Sequence, residues 1–202
     1  VRLYHQRRAD FVLSMAAFLG VAFLGVLPGI VLAIALSVVN VFRRIWMPYR
    51  TELGRPEGVR GLHDVRMYPE AEHLPGCVIL RFDAPLIFAN AGTFRTTVLE
   101  SLERDPRPSW VIIAAEPITD VDTTACDMLD DLVPELEEAG VHLVFAELKD
   151  GVRAKLRDFG LDDALGDERF FPTTHAAVDA FQEVDGTRWQ PRPPGWARPD
   201  RE

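Results

Sequence analysis

The stretch "WVIIAAEPITDVDTTACDMLDDL" (110–132) contains, in 23 residues, an apolar run, an acidic loop and the first turns of a helix. "WVIIAA" (110–115) is short, β-branched and without polar interruption, as expected of a strand covered on both faces of a parallel sheet. From Ala125 the period changes. Ala125, Met128, Leu129, Leu132, Val133 and Leu136 recur at helical spacing and form one apolar stripe. Pro134 is expected to kink that helix or end it early, and Gly140 to close it. Between strand and helix lies Asp120-Val121-Asp122-Thr123-Thr124.

Working outward, the pattern repeats. "CVILRF" (77–82) is a strand, followed by a helix with Phe94, Val98 and Leu102 on one face. "VHLVFAEL" (141–148) is the next strand, and Val152, Leu156 and Phe159 mark a helix stopped by Gly160. "THAAVDAFQEV" (174–184) is the last helix, capped by Thr173 or Thr174. Strands alternating with helices predict an α/β fold with a mostly parallel sheet. Upstream, residues 47–65 are dense in Pro and Gly and are expected to be a linker, with a first strand near Arg66–Tyr68 and the soluble domain spanning 66–184. Residues 185–202 are Pro-rich and poor in apolar side chains, hence expected to be a disordered tail.

From Phe11 to Phe42 there is no charged side chain. A bilayer core of about 30 Å needs roughly 20 helical residues, so this run belongs in lipid. Residues 1–46 are expected to form a short transmembrane helical hairpin broken at Pro28-Gly29, with halves too short to span alone. Arg7 and Arg8 flank it on one side, and Arg43, Arg44 and Arg50 on the other, which favours both ends on the cytoplasmic face. One long kinked span is the alternative. Gly25-x-x-x-Gly29 is a weak helix-packing motif. The expected location is therefore a cell (inner or plasma) membrane, multi-pass or re-entrant, with the soluble domain cytoplasmic.

Charge restricts the soluble part further. Of 22 bases and 31 acids, three bases and one acid precede residue 43, which leaves the remainder at a net −11. Such a surface repels phosphate backbones, so nucleic acid is not an expected partner. Cys77 and Cys126 stand alone, as in a reduced compartment, and the five histidines have no zinc-ligand spacing. No metal and no cofactor are expected.

The acidic loop admits three accounts. In the first it is a helix start: Asp122 or Thr123 is the N-cap, and Asp127, three residues after Thr124, makes a capping-box-like pair. In the second, Asp120, Asp122 and Thr124 resemble the nucleophile and magnesium site of haloacid dehalogenase-type phosphatases. Against this, Glu116-Pro117-Ile118-Thr119 separate Asp120 from the strand end, and Asp162-Asp163, which with Lys149 would complete the site, follow a helix rather than a strand. In the third, "VILRFDAPLIFANAGTFR" (78–95), 110–132 and "VHLVFAELKDGVRAKLRDFGL" (141–161) together resemble the STAS domain of sulfate transporters and anti-sigma factor antagonists. "VLPGIVLAIALSVVNVFRR" with the following "PYRTELG" resembles the last membrane helices of a SulP-type anion permease, so the resemblance extends from Val1 to Phe181.

That resemblance implies a STAS-like layer of sheet and helices. It also implies that Thr123 falls on the phosphoacceptor position of the anti-sigma antagonists, preceded by Asp122, with Thr for Ser and Ala125 for the family's glycine. The function implied is that of the C-terminal fragment of a secondary anion transporter for sulfate or a bicarbonate-like ion, the STAS domain being regulatory or assembling. By that resemblance the chain is expected to be either a truncated reading frame or a fragment of a longer protein, and Val1 in place of Met fits either. No substrate-binding residue is expected in this chain, and no enzyme activity. Implied partners are the bilayer, the remaining membrane helices of the transporter and a second copy in a homodimer. The alternative is a membrane-anchored STAS regulatory protein of the anti-sigma factor antagonist kind.

Overall fold

A computed structural model describes residues 14–189 except 17, 20, 24 and 162–164. It divides into two compact units, Val1–Met47 and Pro48–Glu202.

In the first unit the described residues of Ser14–Phe23 are helical, and α1 runs from Val26 to Trp46. The expected break at Pro28-Gly29 lies instead at Gly25, whose φ of 92° is accessible to glycine without a Cβ penalty. Pro28 occupies the first turn of α1, where its missing N–H has no intrahelical acceptor to lose. Gly29 N–H already donates to Gly25 O at 3.0 Å. α1 has 21 residues, about 31 Å at 1.5 Å per residue, and its Val26–Arg43 segment has mean hydropathy 2.1, so α1 alone is long and apolar enough to cross a membrane. A Cβ on Gly29 would lie 2.6 Å from Val21 Cα, so the absence of a side chain is what lets these two backbones approach.

In the second unit six strands form one sheet in the order β2-β1-β3-β4-β5-β6: β1 Arg50–Gly54, β2 His63–Asp64, β3 Cys77–Phe82, β4 Trp110–Ala114, β5 His142–Ala146 and β6 Phe170–Phe171. β3 to β6 are parallel, while β1 is antiparallel to both β2 and β3. The expected linker 47–65 thus contributes two strands, and Arg66–Tyr68 is a turn after β2, with Met67 and Tyr68 N–H donating to Asp64 O. The α-helices after α1 that are described in full are α2 Ala91–Ser101, α3 Thr123–Glu138, α4 Asp150–Asp158 and α5 Thr174–Asp185.

The period-2 alternation of the parallel strands builds a core on each face of the sheet. Val78, Leu80, Val111, Ile113, Leu143 and Phe145 join Phe94 and Val98 of α2 and Leu129 and Leu132 of α3. Cys77, Ile79, Ile112 and Val144 join Ala177, Val178 and Phe181 of α5, with Trp189 packed against that cluster. Trp189 belongs to the expected tail, whose residues 190–202 lie outside the described ones. Pro134 does not end α3. Pro134 and Asp130, whose carbonyl loses its partner, are both exposed, so the carbonyl is not left without a partner in a dry core and the helix continues to Glu138. Gly140 follows at φ 72°.

Candidate functional site

The loops after β3, β4 and β5 meet at the carboxyl edge of the parallel strands, the edge where open α/β sheets place their ligand-facing groups. The loop from 115 to 122 is fixed from below by Ile118 and Val121, both buried. Val121 forms a parallel bridge with Leu86, made by Leu86 N–H donating to Asp120 O at 2.9 Å and Asp122 N–H donating to Leu86 O at 3.3 Å. The sequence therefore pins the acidic turn against the preceding strand–helix loop before α3 begins.

The two carboxylates face different partners. Asp122 is the N-cap of α3, and its Oδ1 accepts from Ala125 N–H at 2.9 Å. Its Oδ2 accepts from Phe88 N–H at 2.7 Å, a link across 34 residues that ties the loop after β3 to the start of α3. Asp120 Oδ1 accepts from its neighbour Val121 N–H at 2.8 Å and from Lys155 Nζ of α4 at 2.5 Å. The hydrogen bond from Lys155 holds the Asp120 carboxyl below its ordinary value, helped by the Val121 amide.

Thr123 and Thr124 are the first two residues of α3 and are exposed. Among the described residues their hydroxyls make no hydrogen bond, and the expected capping-box-like pair of Thr124 with Asp127 is not formed. With Asp122 at the cap, the reciprocal position is Ala125, which has no carboxylate, and Asp127 lies beyond the first turn, exposed. The cap is thus Asp122 alone. The phosphatase-like arrangement also does not assemble. Asp122, which would shuttle the proton, has both oxygens engaged by backbone amides, and Asp120 turns toward Lys155. Lys149 is the N-cap residue of α4, and Asp162-Asp163 lie outside the described residues.

Two further features of this edge were not anticipated. Phe88 is 65% exposed beside the Asp122 turn, held there by its own amide. Glu147, directly after β5, has φ 62°, a left-handed conformation uncommon for a side chain other than glycine. Its carboxylate accepts from Thr174 N–H at 3.2 Å at the start of α5, and Thr173 Oγ1 caps the same helix by accepting from Ala176 N–H at 3.1 Å. No sequence signal marks either position, because both depend on contacts between distant loops. The two cysteines are buried and free. Burial pushes the Cys77 thiol up to about 12 and the Cys126 thiol up to about 11.

Comparison with known proteins places this geometry among relatives. Residues 68–177 match the STAS domain. A probable sulfate transporter of Mycobacterium tuberculosis is 40% identical over 182 residues, covering 90% of this chain and 32% of the relative. Sulfate transporter 1.3 of Arabidopsis thaliana is 31% identical, over 86% of this chain and 28% of its own length. The chain therefore spans about a third of the curated relatives it matches. Among solved structures, murine Solute Carrier 26 family member A9, an anion transporter in the inward-facing state, superposes with a TM-score of 0.74 at 21% identity, over 90% of this chain and 30% of that one. A sulfate transporter family protein from Wolinella succinogenes covers 62% of this chain and all of its own, with a TM-score of 0.52 at 23% identity.

Proposed function

The chain belongs to the STAS-domain family, and from that premise we propose that it works as part of a SulP-type secondary anion transporter, joining membrane helices to a cytoplasmic STAS domain. One observation carries the proposal. The match to the Mycobacterium tuberculosis relative takes in 90% of the chain, so at most about 20 residues fall outside it, fewer than the 47 of the apolar unit. The apolar stretch and the STAS domain are therefore shared together. That favours the transporter over a membrane-anchored regulator of the anti-sigma antagonist kind. The relatives' names point to sulfate as the anion.

The membrane part is proposed to be a helical hairpin that turns at Gly25, with both basic flanks in the cytoplasm. The close approach of Gly29 to Val21 supports this, as does the one-sided burial of α1: Leu32, Ala33, Leu36 and Asn40 are half-buried while Val31, Ile34 and Val38 are exposed. The STAS domain is proposed to act through its exposed carboxyl edge, in regulation or in assembly as a homodimer. Thr123, exposed at the first position of α3, is the modification candidate there. A phosphate on it would gain from the helix N-terminus but meet the charges of Asp120, Asp122 and Asp127.

The test is radiolabelled sulfate uptake in a sulfate-transport-deficient bacterial host expressing the native gene product. Uptake saturable by sulfate and reduced by Asp122→Ala supports the proposal. A chain that stays in the aqueous fraction, or a gene product without anion uptake in any ion gradient, refutes it.

A further inference from the structure

Away from the carboxyl edge, a cavity of about 430 Å³ opens between the β1–β2 hairpin and α5. That volume lies within the range of about 300–1,000 Å³ usual for small-ligand sites. Its walls are of three kinds. Leu62 and Val178 line it with aliphatic surface, and Trp189 adds an indole. Arg60 enters it from the hairpin, and His175 and Asp179 enter from successive turns of α5.

The indole is set in place before any ligand arrives. The Arg55 guanidinium lies 4.6 Å from the ring centroid of Trp189, and Arg55 Nε donates to Glu72 Oε2 at 3.1 Å. Arg55 is thus a prop whose charge is already answered. Arg60 differs. Its backbone carbonyl oxygen lies 2.9 Å from His63 Nε2, but its guanidinium makes no ion pair among the described residues, although the chain from residue 43 onward carries net negative charge. A planar, weakly hydrated cation beside a flat apolar wall matches the two ends of an aromatic carboxylate.

We propose that this cavity binds a small, flat organic monocarboxylate. Arg60 takes the carboxylate, Trp189 with Leu62 and Val178 takes the apolar body, and Asp179 accepts from a donor on that body. One unpaired guanidinium balances one negative charge, and the Asp179 carboxylate on the same rim opposes a second, which selects against doubly charged anions such as sulfate. The site is separate from the transport proposed above and stands whether or not that proposal holds.

The experiment is calorimetric titration of the full chain in detergent with indole-3-carboxylate and benzoate, with inorganic sulfate and phenyl phosphate in parallel. The Trp189 indole N–H resonance is followed in the same samples. Saturable binding of the carboxylates is expected, tighter for the indole, with that resonance shifting. Arg60→Ala should weaken it at least tenfold, and Trp189→Ala about fivefold. Arg107→Ala, which removes a cation that does not line the cavity, should leave it unchanged. Arg60 is an exposed hairpin residue, so its variant tests the idea even if Trp189→Ala fails to fold. The proposal is overturned by no carboxylate binding at 5 mM, by an Arg60→Ala affinity within twofold of the parent, or by sulfate or phenyl phosphate binding as tightly.

Discussion

Replacing Asp122 by Ala removes two hydrogen bonds that serve different parts of the fold. The bond from Ala125 N–H at 2.9 Å is an N-cap, and losing a cap costs about 1 kcal/mol. The bond from Phe88 N–H at 2.7 Å has a charged acceptor, worth about 1.5–3 kcal/mol, and the half-buried position of Asp122 puts it at the lower end. Together they predict a loss of about 2–3 kcal/mol. For a unit the size of Pro48–Glu202 that is a fall in Tm of roughly 5–10 °C. Asp122→Asn keeps one good acceptor and presents an NH2 to the other amide, so it should lose at least half as much. Thr123→Ala, which removes a hydroxyl without a partner among the described residues, should stay within about 0.5 kcal/mol. The assay is thermal unfolding of the chain in detergent by near-UV circular dichroism, paired with hydrogen exchange read at the Phe88 amide. If Asp122→Ala unfolds within 1 °C of the parent while the Phe88 amide keeps its protection, the dual role of this carboxylate is refuted.

Three more outcomes are expected. Cys77 and Cys126, with thiols raised to about 12 and about 11, should resist iodoacetamide at pH 8 in the folded protein and react only in denaturant; labelling at a free-thiol rate in native buffer would contradict their burial. Because the folded-state value of Asp120 is lowered, its pairing with Lys155 stabilises above the ordinary carboxylate value of 3.8 and is lost as pH falls through the lower folded value. Both side chains are half exposed, so Lys155→Met should remove only about 0.2–1 kcal/mol at pH 7 and nothing near pH 2; an equal loss at both pH values would show a packing effect instead. For the membrane hairpin, single cysteines at Arg8 and Met47 in a background lacking Cys77 and Cys126 should both react with an impermeant maleimide only from the cytoplasmic face, whereas labelling from opposite faces would establish one kinked span.

Much of the second unit was legible because its strands are buried on both faces. "CVILRF", "WVIIAA" and "VHLVFAEL" announce themselves as apolar runs, and the stripes from Phe94 and Ala125 follow the helical period. β1 was not legible. "RTELG" lies against β3 on one side and only the two-residue β2 on the other, and of its residues only Thr51 and Gly54 are buried, so no alternation of apolar groups marks it. Neither Pro28 nor Pro134 ends a helix, and the reason is shared. Their cost depends on whether the lost N–H bond was needed, and at Pro28 in a first turn or Pro134 on a wet face it was not. At the candidate site, a cap at Asp122 or Thr123 followed from local spacing, and the structure puts it at Asp122. Its second bond to Phe88, Lys155 reaching Asp120 and the rim of Arg60 with Trp189 join residues far apart in the chain, and local pattern carries no information about them.

The conformation of Glu147 has a consequence for anyone altering this edge. Glycine would relax the backbone there, yet it would strip the α5 amide of Thr174 of its acceptor. Alanine would suffer both faults at once. Asparagine and aspartate tolerate the left-handed region better than most residues, but each is one methylene short of the reach Glu147 uses. Position 147 is thus a place where comfort of the main chain and anchorage of the next helix pull toward different amino acids, and swapping side chains at random there should meet few acceptable answers.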